Sequence, residues 1–236
     1  MTDRIYIVDN RYYDAFCQTL GKGLRVLPSV TCKALDAPVS AHPDMALFSA
    51  GKGSLICAKE VYDDYVKMLS PFGIKLVQGE ANLHRDYPED VAYNVLNTPA
   101  GAFARFDCTD LQIVRLLEKK KTPKIQVKQG YARCSSVTFG DALISADPTI
   151  LKAGRDAGLS VLSISPGYVR LPGYDYGFLG GASGMTDEST VAFFGDLSYH
   201  PDGVKIRDFI TKKGFAVKEV SHQPLTDIGT IFCIEL

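Results

Sequence analysis

Five positions spaced almost evenly along the chain carry most of its chemical potential: Asp44, Asp90, Cys134, the Gly180-Gly181 pair and Asp227. Just before them stand His42, Glu89, Arg133, Asp175 and His222. If these points converge, several acids, one thiol and two imidazoles share a small space. Carboxylates grouped in this way attract a cation. They also raise one another's pKa unless a cation or basic side chain compensates. A guanidinium or amine suits that field, and a carboxylate can pair with guanidinium in a bidentate way. Cys134 is the strong nucleophile of the set, and Arg133, His42 or His222 beside it would favour the thiolate.

Each residue also has a structural use. A cysteine at the start of a strand commonly packs as a small apolar group, and Asp at such a place can hydrogen-bond the turn backbone. His42-Pro43-Asp44 reads as a catalytic cluster or a rigid turn, and His222 as a site residue or a loop residue. His200-Pro201-Asp202 repeats the tripeptide at a helix start, where capping explains it. His84 is expected to be exposed. Gly177, Gly180, Gly181 and Gly184 crowd one segment, which signals close approach of a neighbouring backbone or of a ligand. Gly51-Lys52-Gly53-Ser54 lacks the spacing of a phosphate-binding loop. Gly181-Ala-Ser-Gly184 is followed by Met185, so it is not a nucleophile elbow. Lys119-Lys-Lys121 complements a helix C-terminus.

The spacing of the five points comes from a repeat. Segments starting at 44, 90, 134, 180 and 227 are separated by steps of 46, 44, 46 and 47 residues. Each reads as two short strands joined by a glycine-containing turn. Helical stretches then follow: Lys59 to Leu69, Thr109 to Glu118 with Thr109 and Gln112 as a capping box, a helix opened by Asp147-Pro148, and one with Pro201 at its first position. A further apolar strand closes each unit: Ile74 to Val77, Lys124 to Val127, Leu159 to Leu162 and Phe215 to Val220. The unit is ββαβ. The fifth copy runs out after one strand, and the N-terminal stretch supplies the rest: a strand over Ile5 to Val8, a helix over Tyr12 to Leu20 and a strand over Leu24 to Leu27. That arrangement predicts an α/β five-bladed ββαβ propeller, closed by pairing of N- and C-terminal segments, as one domain of residues 1–236. The first strand of each unit is then innermost, and the loops leading into it meet at one mouth of the axis.

Composition agrees with an ordinary globular chain. Of 236 residues, 46% are hydrophobic and 22% charged, with a formal net charge of −1. That balance excludes disorder and a strongly basic nucleic-acid binder. No apolar run is long enough for a transmembrane helix, so no membrane partner is expected. Six cysteines show no C-x-x-C spacing, which argues against a zinc ribbon or a disulfide scaffold. The start of the sequence does not read as a signal peptide, so the cytoplasm is the expected compartment.

With the repeat in place, the chain resembles the guanidino-group-modifying enzyme superfamily, which includes arginine deiminase, dimethylarginine dimethylaminohydrolase and the amidinotransferases. Gly130-Tyr-Ala-Arg-Cys134-Ser is similar to that family's Gly-Gly-x-Arg/His-Cys-Met nucleophile segment, and His42-Pro-Asp44 to its Pro-Asp strand start. The nucleophile segment belongs near the family's C-terminus, whereas here it falls in the third unit, and Asp227-Ile-Gly stands in its usual place. Neither Glu-Gly-Gly-Asp nor His-Leu/Val-Asp/Glu occurs. The resemblance implies a five-bladed α/β propeller with a central Cys, His and acidic residues. The same fold also occurs without catalysis, in the translation factor that keeps ribosomal subunits apart.

Two functions follow. In the first, Cys134 attacks a guanidine or amidine carbon as a hydrolase or amidinotransferase. His42 or His222 moves protons, while Asp44, Asp90, Asp175, Asp227 and Arg133 surround the bound group. In the second, a non-catalytic propeller holds a small cationic metabolite or a protein partner. Neither needs a cofactor or a metal, and the oligomeric state is left open.

Overall fold

The computed structural model describes residues 4–220 and 222–236; residues 1–3, the start of the closing unit, and Ser221 lie outside them. The described residues form five separate three-stranded sheets. The first unit contains β1 (Arg4–Val8), α1 (Tyr13–Gln18) and β2 (Val26–Pro28), followed by the short α2 (Pro43–Ala46). The second has β3 (Leu47–Gly51), β4 (Ser54–Cys57), α3 (Tyr62–Leu69) and β5 (Lys75–Gln78), and the third β6 (Leu96–Thr98), β7 (Gly101–Ala104), α4 (Leu111–Lys119) and β8 (Lys124–Gln126). Next come β9 (Ser136–Phe139), β10 (Ala142–Ser145), α5 (Pro148–Asp156) and β11 (Ser160–Ser163). The last elements are β12 (Ser183–Met185), β13 (Thr190–Phe193), α6 (Gly203–Lys212), β14 (Ala216–Glu219) and β15 (Phe232–Glu235).

Every sheet has the same logic. Its first two strands pair antiparallel and the next returns parallel after a helix, as in β3-β4-β5. The fifth sheet is assembled from both ends of the sequence. β15 pairs antiparallel with β1, which pairs parallel with β2. This fits a five-blade arrangement in which no sheet is continuous with the next. The middle strands β7 and β10 are buried at every residue. The helices cover them with apolar residues one turn apart: Tyr65 and Leu69, Ile113 and Leu117, Ile206 and Ile210. That spacing places each pair on one helix face. Truncating one of them to Ala removes about 2–5 kcal/mol.

Local chemistry sets the helix starts. Asp147 caps α5 as its side chain accepts from the amides of Thr149 and Ile150, with Pro148 next. α4 is capped by Asp110, which accepts from the Gln112 amide, rather than by the Thr109–Gln112 box. Thr109 instead donates its hydroxyl to the Arg105 carbonyl. α6 begins at Gly203, after Pro201 rather than around it.

The inner strands also begin later than the repeat suggested, at Leu47, Leu96, Ser136, Ser183 and Phe232. Residues 90, 134, 180 and 227 lie in the turns and loops that lead into them, and Asp44 lies in the short α2. Pro43 starts α2, Ser136 N donates back to the Arg133 carbonyl, and Ser183 N to the Gly180 carbonyl. These are the loops expected at one mouth of the axis, and they carry the site.

Candidate functional site

Cys134 is buried at the last turn before β9. Its Sγ lies 3.1 Å from Asp44 Oδ2, to which the thiol donates. Asn94 Nδ2 donates to the sulfur at 2.9 Å. Asn94 is a junction: its Oδ1 accepts from the amides of Arg133 and Cys134, and its Nδ2 also donates to the Asp44 carbonyl. Asp44 Oδ2 accepts in addition from Thr230 Oγ1 at 2.6 Å, while its Oδ1 has no partner. Burial is the chief reason the Cys134 thiol is pushed well above its usual range, and the charges of Asp44 and Asp227 push it further. The resting sulfur is therefore a protonated thiol.

His42, also buried, stands between two buried carboxylates. Its Nδ1 is 3.7 Å from Asp227 Oδ1 and its Nε2 is 3.7 Å from Asp9 Oδ2. Asp9 is held by the Arg11 guanidinium and by the Arg11 amide. Asp227 accepts from the amides of Phe178 and Gly229. Burial raises the Asp227 carboxyl, an effect opposed by His42 and reinforced by Asp44. The turn is tight enough to require glycine. A Cβ on Gly181 would lie 2.0 Å from Asp227 Oδ1, and one on Gly180 would lie 2.4 Å from the Cys134 carbonyl. The crowded glycines thus serve contact with neighbouring segments.

Cys134, His42 and Asp227 line one open cavity of about 250 Å³. Its walls are aromatic: Tyr131, Tyr174, Tyr176 and Phe178, with Tyr131 and Phe178 ring centroids 5.9 Å apart. A cation between carboxylates and ring faces gains from both. Asp175 is at its exposed rim.

The remaining expected residues fall elsewhere. Asp44 and Asp90 do not line the cavity. Each sits one layer behind it, Asp44 on Cys134 and Asp90 as acceptor for the Tyr131 hydroxyl at 2.5 Å. Burial raises the Asp90 carboxyl, and its second oxygen has no partner. Arg133 lines a different cavity. His222 lies on an exposed turn in the left-handed conformation, and the chain becomes buried again only at Leu225, so its imidazole is not gathered with Cys134. His84 is exposed, and His200 sits at the start of α6, where its Nδ1 accepts from the Asp202 amide. Asp9, Asn94, Thr230 and the tyrosines are site residues that the repeat alone did not mark. Among the described residues, no three His, Cys, Asp or Glu side chains are placed to hold a metal ion. No helix among them is long and apolar enough to cross a membrane.

Five ββαβ units with their loops meeting around a thiol, an imidazole and carboxylates give a fold similar to that of several solved guanidino-group-modifying enzymes. The dimethylarginine dimethylaminohydrolase of Pseudomonas aeruginosa, as a cysteine-to-serine mutant with citrulline, superposes over 100% of both chains at TM-score 0.61 and 11% identity. The agmatine deiminase of C. jejuni matches over 92% of this chain and 86% of its own, at TM-score 0.55 and 10% identity. An amidinotransferase of Microseira wollei from the saxitoxin biosynthetic pathway matches over 89% and 73%, at TM-score 0.51 and 12% identity. No curated protein matches by sequence. The chain belongs to the Family of unknown function (DUF6873), whose profile spans residues 7–232.

Proposed function

We propose that this chain is a single propeller domain, its five blades closed by the β1–β15 pairing, that binds a guanidine- or amidine-type cation and acts on it through Cys134. The observation that supports this reading is the shared cavity of Cys134, His42 and Asp227, walled by aromatic rings. Asp227, whose charge helps to keep the thiol protonated, is also what a cation in the cavity would bind. A guanidinium beside Asp227 offsets that negative charge and eases loss of the thiol proton to Asp44. The thiolate then attacks the central carbon, a C–S bond forms, and a C–N bond breaks. The amine departs with a proton carried by His42. Water, or a second amine in an amidinotransferase, displaces the sulfur and returns the thiol. With water the organic product is a urea or an amide.

One observation favours a non-catalytic binding propeller instead. Cys134 is tied to Asp44 and Asn94, and His42 makes no recorded hydrogen bond to it. A single comparison separates the two. Wild type and Cys134→Ser are screened by thermal shift with arginine, methylated arginines, agmatine, creatine-like compounds and polyamines, and amine release is measured. A ligand at a hundredfold its Kd stabilises by about 2.7 kcal/mol, which is about 5–10 °C for a chain of this size. A hit in both proteins with turnover only in wild type supports the enzyme. Turnover by Cys134→Ser removes the nucleophile assignment. A hit without turnover selects the binding propeller, and no hit refutes the cation site.

A further inference from the structure

Arg133 and Cys134 are adjacent in sequence but line different cavities. The second, about 230 Å³, is bounded by residues of all five inner strands: Ser49 of β3, Asn97 of β6, Thr138 of β9, Ser183 of β12 and Cys233 of β15. It therefore lies along the axis, displaced from the loops that carry Cys134. Ser49, Met185 and Cys233 also line a groove at the far ends of β3, β12 and β15, whose charged residues are Arg4, Lys52, Asp187, Glu188 and Glu235.

Arg133 is the one charged residue lining the inner cavity. Cys233 stays uncharged there, since burial pushes its thiol up to about 11. The guanidinium has five N–H donors. Among the described residues its side chain makes one hydrogen bond, from Nη1 to the Ser136 carbonyl at 3.2 Å, and no ion pair. Desolvation pulls its pKa down. The charge of Asp44 opposes that shift, yet the half-buried guanidinium still has donors without a protein acceptor, and a planar donor fork matches a carboxylate in a bidentate way.

We propose that this axial cavity is a second ligand site, for a small organic carboxylate paired with Arg133. One guanidinium balances one negative charge. Val137 and Phe232 add apolar wall for the carbon chain, and Ser49 and Thr138 add hydroxyls to the lining. This site is a different cavity from that of Cys134, and its proposed ligand does not require a reaction there.

The test is isothermal titration of the whole chain with sodium benzoate and sodium butyrate at constant ionic strength, with sodium chloride and inorganic phosphate as comparisons. Saturable carboxylate binding is expected. Arg133→Met should weaken it about tenfold or more. Thr138→Phe, which puts a ring into the cavity without removing the charge, should weaken it. Cys134→Ser should leave it unchanged. Equal binding by wild type and Arg133→Met, absence of saturable binding, or competition by a ligand of the Cys134 cavity would each overturn the proposal. Phosphate binding tighter than either carboxylate would overturn the ligand class. If Arg133→Met does not fold, by circular dichroism, Arg133→Lys takes its place: the charge remains but the fork is lost, and weaker binding is again required.

Discussion

Gly229 is the position where a single methyl group tests the site's geometry. Its φ is +65°, and a Cβ there would lie 2.3 Å from His42 Cβ and 2.4 Å from His42 Cα. Neither atom can swing aside, because both belong to the rigid base of the histidine at the start of α2. Gly158 gives the matched control, with φ +81° and nothing within 4 Å of an added Cβ. Ala at either glycine pays the left-handed backbone cost, about 1–2 kcal/mol. Gly229→Ala adds an overpacking cost of about 1–3 kcal/mol. At about 2–4 °C per kcal/mol for a chain of this length, Gly158→Ala should melt about 2–8 °C below wild type. Gly229→Ala should fall lower by a further amount of about 2–12 °C. The assay is thermal unfolding followed by far-ultraviolet circular dichroism under identical buffer. If the two variants melt within about 1 °C of each other, the close approach of this turn to His42 is refuted.

Two further outcomes follow from buried carboxylates. Burial raises the folded-state pKa of Asp90, so its destabilising effect is absent at pH below the unfolded value and complete above the folded value. Asp90→Asn keeps an acceptor for Tyr131 and removes the charge. Its melting temperature relative to wild type should therefore rise as the pH is raised above the unfolded carboxyl value of about 4, and a difference that does not change with pH contradicts the assignment. Asp44→Asn removes the carboxylate that accepts the Cys134 proton and helps raise its pKa. The pH profile of Cys134 alkylation by iodoacetamide, read by peptide mass spectrometry, should move to lower pH, and an unmoved profile argues against the Asp44–Cys134 coupling.

The repeat was legible because each unit spends the same residue types on the same jobs. Glycine turns the hairpin, an apolar run fills the middle strand, and a cap such as Asp147-Pro148 starts the helix. The phase of the inner strand was misplaced where the approach to it is also apolar. Val91-Ala-Tyr-Asn94 alternates like a strand, yet it closes as a turn, with the Asn94 amide donating to the Val91 carbonyl. That is why Asn94 was hidden: its side chain is not an end of a strand but the bridge between two segments 40 residues apart. Asp9 follows β1 in an Asp-Asn-Arg stretch that reads as a polar loop. Only the tertiary position of His42 makes it part of the site. Asp175 and Asp227 reached the cavity because they flank the glycine-rich crossing. His222 missed it because proximity in sequence to Asp227 does not survive an exposed left-handed turn.

The seam between β1 and β15 bears on how the molecule acquires its charge pattern. Asp9 follows β1, Asp227 precedes β15, and His42 sits between their carboxylates. Those two acids are brought together by the pairing of greatest sequence separation in the fold. Contacts so distant carry the largest loop-closure entropy and are slow to form. The four units between β3 and β14 can gain their sheets from nearer partners. Opening at the seam would therefore disperse the acids around His42 while those four sheets persist. Assembly of this histidine's surroundings is tied to the β1–β15 pairing rather than to the bulk of the core.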